Sequence, residues 1–223
     1  MKNIGIVINS IDYKESSKIV YLYTPLGRDS VKASGGKGIK KGYLGFTTTG
    51  NVVSYVRSDA KFPSLIEYSI IDSIFDITND INKLNSFGII IKIINSLPDD
   101  INHERTYNYI IKVLNDLKIS NNPKKVLSIF LIKILYTFGV APNLKTCVTC
   151  NNENINSFSI NLGGALCKNC GPKNDKLNIW NEYYYDKKSI DEYQDVDFDN
   201  LLKDIYKYYS IHANINLDFN NQK

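Results

Sequence analysis

The stretch CVTCNNENINSFSINLGGALCKNC, residues 147–170, contains all four cysteines of the chain and determines how the rest of the sequence divides. Two Cys-x-x-Cys pairs, Cys147 with Cys150 and Cys167 with Cys170, are separated by sixteen residues. A two-residue spacer lets both thiolates of a tight turn approach one ion, and two such turns supply the four ligands of a closed zinc site. The spacing predicts a structural Zn²⁺ at these four residues.

The expected cell compartment supports a metal at these thiols more than disulfides between them. The opening MKNIGIVINSIDYKES lacks the apolar region of a signal peptide, and the later run FGIIIKII is short and holds a lysine. We therefore expect a soluble, cytoplasmic protein with no membrane partner, in which thiols stay reduced. A rubredoxin-like iron site, a redox dithiol pair and a site that no longer holds metal remain alternatives to zinc.

The sequence before the cysteines has the periodicity of helices. A first helix is predicted after Asn79 and Asp80, and Pro98–Asp100 indicates the start of a second. Asn122 and Pro123 fit the N-cap and first position of a third helix, which Gly139 and Pro142 would end. This third helix is apolar on most sides, so we expect it to lie at the centre of a helical domain.

The sequence after the cysteines returns to a helical pattern and is acidic. Its apolar face is formed by Phe198, Leu201, Leu202, Ile205 and Tyr208 or Tyr209. Residues 177–223 contain nine acids and five bases, a net charge of −4. This acidic segment fits a solvated surface, a partner site or a shield against nonspecific DNA contact.

The first 75 or so residues alternate apolar and polar positions as short strands do. NIGIVIN, KIVYLYT and GNVVSYVRS carry this pattern, with turn signals between them. About five strands predict a small barrel, of OB-fold or SH3-like type. The fold class is therefore a multidomain chain: an OB-fold barrel at 1–77, an α-helical domain at 78–146 and 177–219, and an inserted four-cysteine zinc-binding module at 147–176.

The predicted barrel is basic, with ten Lys or Arg against four acids in residues 1–62, and this favours a polyanion partner. The loop SGGKGIKKG lacks the phosphate-loop pattern, so nucleotide binding is not expected there. Cations interleave with aromatic residues, a mixture suited to single-stranded nucleic acid. The aromatic residues concerned are Tyr13, Tyr21, Tyr23, Tyr43, Phe46 and Tyr55. The candidate DNA-binding residues are Lys14, Arg28, Lys32, Lys37, Lys40 and Lys41.

The sequence shows no catalytic grouping. His103 lies among helix-start acids and His212 falls within the apolar period of the last helix, so both are expected to be structural. A zinc with four protein ligands leaves no position open for substrate. We therefore expect a protein that is not an enzyme, while an enzyme of unrecognised type stays a third hypothesis.

Three quoted stretches together resemble the RecO family of recombination mediators. GIVINSIDYKESSKIVYLYTPLGRDSVKASGGKG is similar to that family's amino-terminal barrel signature, and LIKILYTFGVAPNLKTCVTC to its junction between central helix and zinc turn. GGALCKNC is similar to its second zinc turn and IYKYYSIHANI to its closing helix. The likeness covers nearly the whole chain, although the basic stretch after the third strand is shortened to KGIKKGYLG.

The resemblance implies a non-catalytic, nucleoid-associated protein of bacterial DNA repair in the RecF pathway. Such a protein binds single- and double-stranded DNA, anneals complementary strands, and helps RecR load RecA onto DNA coated by single-stranded DNA-binding protein. It also implies that the four cysteines bind zinc and that the barrel lysines and Arg28 form the basic DNA-binding region. The alternative hypothesis is an adaptor whose helical domain docks a partner's tail without direct DNA binding.

Overall fold

The computed structural model describes residues 2–37 and 43–217, which fall into two compact units, Met1–Lys118 and Ile119–Lys223. Within those ranges the first unit contains a five-stranded sheet and two long helices, and the second contains helices and a two-stranded hairpin. The prediction of a strand-rich N-terminal region followed by helices is confirmed. No helix of the described ranges has both the length and the apolar character that a bilayer crossing needs.

The sheet of the first unit is antiparallel, with strand order β3-β2-β1-β4-β5. Its strands are β1 (Lys2–Tyr13), β2 (Ser17–Thr24), β3 (Gly27–Ala33), β4 (Val52–Arg57) and β5 (Leu65–Asp72). A register irregularity between Val7 and Asn9 lies in β1, which pairs with both β2 and β4. Such bulges bend a strand and increase its twist. A turn at Pro25 and Leu26 joins β2 to β3, and Gly27 has the positive φ, 105°, that glycine tolerates best.

One face of the sheet encloses an apolar core. Its buried residues are Val7, Val20, Leu22, Val31, Ala33, Phe46, Val53 and Tyr55, with Phe46 carried by the short helix α1 (Leu44–Thr47). Tyr55 on β4 donates a 2.6 Å hydrogen bond to Asp29 on β3, although two strands separate β3 from β4. The Lys32 amide also donates to the Pro63 carbonyl at 2.8 Å, ahead of β5. These links require a strongly curved sheet.

The opposite face is partly covered by α2 (Ile81–Ser96) and α3 (His103–Ile119). The predicted start of α2 is confirmed, since the Asp80 carboxylate accepts hydrogen bonds from the amides of Asn82 and Lys83. Tyr23 is fully buried on this face, where its hydroxyl lies 3.1 Å from Nδ1 of His103. Tyr23, one of the aromatic residues that the sequence suggested for nucleic-acid binding, therefore packs against α3 instead.

The second helix begins later than the sequence predicts. Residues 99–101 form a bend, and α3 begins at His103, directly after Asn102, whose side-chain oxygen accepts the Arg105 amide at 2.9 Å. Asn102 therefore acts as the helix-starting residue, a role that asparagine fills as well as aspartate. Asp99 instead forms an ion pair with Arg28.

The second unit is organised around α4 (Pro123–Ile134). Asn122 accepts the Lys125 amide and Pro123 occupies the first turn, as predicted. Ten of the twelve residues of α4 are buried, which confirms its expected central position. The helix continues into a 3₁₀ turn, Leu135–Phe138. It ends at Gly139, which has a left-handed conformation with φ 69°.

Two helices, α5 (Lys176–Tyr185) and α6 (Phe198–Tyr208), pack on α4, and the hairpin of β6 (Ile155–Ser159) and β7 (Gly164–Cys167) packs on α5. Phe158, Trp180 and Tyr208 stack on one another, with Phe158 and Trp180 at a centroid distance of 4.5 Å. The chain after α6 forms a π turn, Tyr209–Ala213, and Nε2 of His212 lies 2.8 Å from the Ile160 carbonyl oxygen. The closing helix therefore meets the turn of the hairpin.

Candidate metal centre and nucleic-acid interface

The four cysteines lie on two tight turns at the base of the β6–β7 hairpin. In the first turn, the Asn151 amide donates to the Cys147 carbonyl at 2.8 Å, and Asn151 has a positive φ of 59°. In the second, the amides of Cys170 and Gly171 donate to the Cys167 carbonyl at 3.0 and 3.1 Å. Each turn therefore brings its two thiols to the same side, as the two-residue spacing predicts.

The sulfur positions suit one tetrahedral ion. All four Sγ atoms lie within 4.8 Å of one another, and Cys150 Sγ is 3.6 Å from both Cys167 Sγ and Cys170 Sγ. A zinc–sulfur bond of about 2.3 Å places the corners of a tetrahedron about 3.8 Å apart. The separations are far longer than a disulfide bond of about 2.05 Å, and all four cysteines are free. The described cluster can therefore hold a metal ion.

Backbone hydrogen bonds prepare the first cysteine of each pair for metal binding. Burial raises the pKa of Cys147, but hydrogen bonds from the backbone of Cys167, Thr149 and Cys150 outweigh it and lower that pKa to about 6. The backbone of Asn169 is the main cause that lowers the pKa of Cys167. The pKa of Cys170 is raised to about 12, chiefly by its hydrogen bond with Cys150. Thiolates are the metal-binding form, so the turns themselves favour two of the four.

The hairpin fixes the positions of the turns but has little core of its own. The Val148 amide donates to the Ala165 carbonyl at 2.9 Å, and the Ala165 amide donates to Asn143 at 2.8 Å. The buried cluster here is Cys147, Leu166 and Cys167, so two of its three members are ligand candidates. A side chain at Gly164 would meet the Asn143 carbonyl oxygen at 2.7 Å, which explains the glycine at this crossing.

Two of the candidate DNA-binding residues and one further lysine lie at the tip of the β1–β2 hairpin. We call these three residues, Lys14, Lys18 and Lys37, the hairpin cluster. Lys14 occupies the turn with φ 51°, and its ammonium lies 5.4 Å from the centroid of the Tyr13 ring. Lys37 Nζ is 3.3 Å and Lys18 Nζ 3.8 Å from the Asp12 carboxylate. One carboxylate thus faces two of three cations, and the cluster keeps a positive charge. Lys18 was not among the predicted site residues.

Arg28 lies elsewhere and has several partners within its own unit. Its guanidinium pairs with Asp99 at 2.5 Å and donates to the carbonyl oxygens of Asn95 and Leu97 at 3.1 and 2.6 Å. These are carbonyls at the end of α2, where a cation also meets the negative end of the helix dipole. The contacts give Arg28 a structural role, and its part in DNA binding stays a prediction.

The uncovered part of the helix-facing side of the sheet carries exposed rings and a cation; we call Ile11, Tyr13, Tyr21 and Lys32 the open face. Strand register places these residues on the same side as Tyr23. Ile11, Tyr13 and Tyr21 are 44, 40 and 36 % exposed. A groove of about 330 Å³ adjoins them, lined in part by Ile11, Tyr21 and Arg28. Exposed rings beside cations are the chemistry that single-stranded nucleic acid requires.

The remaining candidates divide between the core and the part of the chain that is not described. Tyr23, Phe46 and Tyr55 are at most 1 % exposed, so they fill the interior and cannot stack on a base. Tyr43 is half-buried, and its ring centroid is 6.3 Å from that of Tyr68. Lys40 and Lys41 lie outside the described residues, and their role stays a prediction.

Both histidines are held inside their own units, in line with the structural roles predicted for them. His103 Nε2 lies 2.9 Å from the Asp99 carbonyl oxygen, with Tyr23 on its other ring nitrogen. His212 packs against Tyr208, with a ring centroid distance of 4.4 Å. Each ring is therefore occupied by contacts that stabilise a helix terminus or a turn.

Both parts of the chain match family models of one DNA recombination protein. Residues 1–74 match the family described as "Recombination protein O N terminal", and residues 79–182 match "Recombination protein O C terminal". The chain is 29% identical over 172 residues to a DNA repair protein RecO of Halalkalibacterium halodurans, covering 74% of this chain and 67% of that protein. It is 27% identical over 182 residues (79% and 72%) to the one of Acetivibrio thermocellus, and 28% over 184 (77% and 72%) to the one of Caldicellulosiruptor saccharolyticus.

Proposed function

Since the chain belongs to the recombination protein O family of DNA repair proteins, we propose that it binds DNA as a recombination mediator. In this role it anneals complementary single strands and helps RecR load RecA onto DNA coated by single-stranded DNA-binding protein. It also binds double-stranded DNA through phosphate contacts. The observation that carries the proposal is the hairpin cluster: Lys14 lies over the exposed ring of Tyr13, and Lys18 and Lys37 lie at the same hairpin tip beside Asp12.

The N-terminal region is proposed to be an OB-fold barrel. The Asp29–Tyr55 hydrogen bond between β3 and β4 and the Lys32–Pro63 hydrogen bond ahead of β5 support closure of the curved sheet. OB-folds bind single strands by combining a basic groove with rings on which bases stack. We retain the domain limits 1–77, 78–146 with 177–219, and 147–176 as part of the same proposal.

The metal is proposed to be Zn²⁺ with a structural role. Cys147, Cys150, Cys167 and Cys170 offer four thiolates at separations that fit its tetrahedral radius. With four protein ligands, the ion supplies folding energy for the hairpin and no position for a reacting group. The proposal therefore includes no catalysis, and the chain acts through binding alone, in the cytoplasm with the nucleoid.

The role of the hairpin cluster can be tested by fluorescence anisotropy of a labelled single strand at two salt concentrations. We expect Lys14, Lys18 and Lys37, changed together to alanine, to weaken binding about tenfold at low salt and to reduce the salt slope by about 2, since fewer counterions are released. A matched variant with Lys187, Lys203 and Lys207 changed to alanine, all exposed in the second unit, should bind normally.

Two further measurements separate the outcomes of this test. Arg28→Ala should lower the melting temperature more than it lowers DNA affinity, because its partners are the α2 carbonyls and Asp99. Unchanged affinity in the hairpin-cluster variant would overturn the assignment of this surface. Absence of any DNA binding by the unaltered protein at low salt would favour the protein-interaction adaptor instead.

A further inference from the structure

The second unit contains an apolar cavity that the proposed DNA-binding role does not use. It has a volume of about 340 Å³ and lies between the first turns of α5 and α6. Its apolar lining is provided by Ile179, Trp180, Val196 and Leu201. We call it the Trp180 pocket. Most of its lining belongs to the acidic segment 177–223, for which the sequence leaves several roles open, and the rest comes from residues 174–176 just before it.

Carboxylates dominate the charge at the pocket. Asp175, Asp197 and Asp204 are among its lining residues, against the single cation Lys176. Lys176 Nζ lies 2.7 Å from Asp204 Oδ2, so that pair is neutral overall. Asp175 and Asp197 are exposed, and together they leave the pocket with a net charge of −2. Such a rim repels both nucleic acid and acidic peptides.

The geometry of the helix starts keeps one carboxylate fixed in place. Asp197 caps α6, and its Oδ1 accepts the amides of Asp199 and Asn200 at 3.1 Å each. Its Oδ2 accepts the side-chain amide of Asn200 at 2.7 Å. A carboxylate held by several hydrogen bonds loses little freedom when it meets a cation, which lowers the entropic cost of binding.

Trp180 forms the floor of the pocket and is completely buried. Its ring stacks on Phe158 at a centroid distance of 4.5 Å and contacts the tilted ring of Tyr208 at 5.1 Å. Among the described residues its indole N–H has no acceptor, which is an uncommon state for a buried donor. Because the ring and its N–H are closed to solvent, they cannot bond a docked ligand, and the exposed carboxylates of Asp175 and Asp197 determine what the pocket binds.

We propose that the Trp180 pocket docks a segment of a partner protein that carries an arginine or lysine beside an apolar residue. The methylene stem of such a side chain covers apolar surface while its cation reaches water or a carboxylate. Here the stem lies on Ile179 and Leu201, and the cation meets Asp175 and Asp197. Arginine suits the site best, because its planar guanidinium can pair with a carboxylate through two hydrogen bonds.

Trp180 is the only tryptophan of the chain, so its fluorescence reports on the pocket in the unaltered, full-length protein. The probes are three capped heptapeptides: Gly-Ser-Leu-Arg-Leu-Ser-Gly and the same peptide with glutamate or alanine in place of arginine. We expect a saturable emission change with the arginine peptide, weaker binding of the alanine peptide, and none with the glutamate peptide. Because no DNA is present, the result is independent of the proposed DNA-binding function.

Substitutions locate the binding. Asp197→Asn keeps an equally good helix cap, and combined with Asp175→Asn it should weaken the arginine peptide about three- to tenfold, the range of two exposed ion pairs. Asp191→Asn, an exposed acid outside the pocket, is the matched control and should bind normally. Equal binding of the glutamate peptide, or no emission change at millimolar peptide, overturns the proposal. So does an emission change that follows protein concentration alone, which would identify a second copy as the occupant.

Discussion

The five-stranded sheet and the cysteine hairpin are both antiparallel, but different forces hold them together. The sheet encloses a core of eight buried residues, including Phe46 and Tyr55. The hairpin has a buried cluster of three, two of which are cysteines. An apolar core loses stability in small steps when single residues change, whereas the cysteine end of the hairpin, whose buried cluster consists mostly of ligand candidates, depends on its ligands as a set. The comparison shows that one chain can contain a region stabilised by apolar packing and a region stabilised by metal binding.

Metal removal should have the largest effect, because structural zinc contributes about 10–16 kcal/mol of apparent binding free energy in small domains. We expect a chelator, or Cys150→Ser, to abolish the hydrogen-exchange protection of β6 and β7 amides while leaving β1–β4 protected. Lys168→Ala, an exposed change between two ligand candidates, is the control and should leave protection intact. If the β6 and β7 amides stay protected from hydrogen exchange after complete metal removal, the hairpin does not depend on its ligands and the difference from the sheet is wrong.

Truncation of the sheet core should have the next largest effect. Phe46 is fully buried among the core residues, so Phe46→Ala should cost about 3–5 kcal/mol of unfolding free energy through lost burial and the cavity left behind. Phe75→Ala, at a phenylalanine that is 69 % exposed, should cost much less. Denaturant unfolding and metal content should be measured together, because we expect the ion to stay bound at full stoichiometry under native conditions.

The smallest expected effect concerns the alkaline limit of the first unit. Burial raises the pKa of Tyr107 to about 12, against about 10 in the unfolded chain. The folded state therefore holds the proton more tightly, so this residue's contribution to stability is present below pH 10 and is lost between pH 10 and 12. Tyr107→Phe should reduce the fall in stability over that window, measured by denaturant midpoints at a series of pH values. Tyr13→Phe, at an exposed ring, should leave the slope unchanged.

The metal cluster could be predicted from sequence because its geometry is local. Two residues between thiols fix the turn whatever surrounds it, and the Sγ positions follow. The start of α4 was equally local, since Asn122 caps the helix with its own side chain. The sequence pattern predicts a start for the second helix that is too early, because aspartate is a common helix cap. Asp99 instead pairs with Arg28, far away in sequence.

The nucleic-acid surface could be predicted only in outline because burial is a tertiary property. Tyr21 and Tyr23 are two residues apart on one strand and share a face, yet Tyr23 is covered by α3 and Tyr21 is exposed. Arg28 carries the charge that phosphate binding needs, but its guanidinium meets the end of α2. No pattern of charges or rings in the sequence distinguishes these cases before the helices are placed.

The contact between the closing helix and the hairpin turn has a consequence for the order of events during synthesis. Tyr208 donates to the Val140 carbonyl at 2.9 Å, and His212 meets Ile160 beside Gly163. All four cysteines are synthesised before these two residues. The thiols can therefore gather before the hairpin is fastened to its unit. A chain that ends before Tyr208 would keep its metal ligands but lose the Tyr208 and His212 contacts that fix the hairpin to its unit.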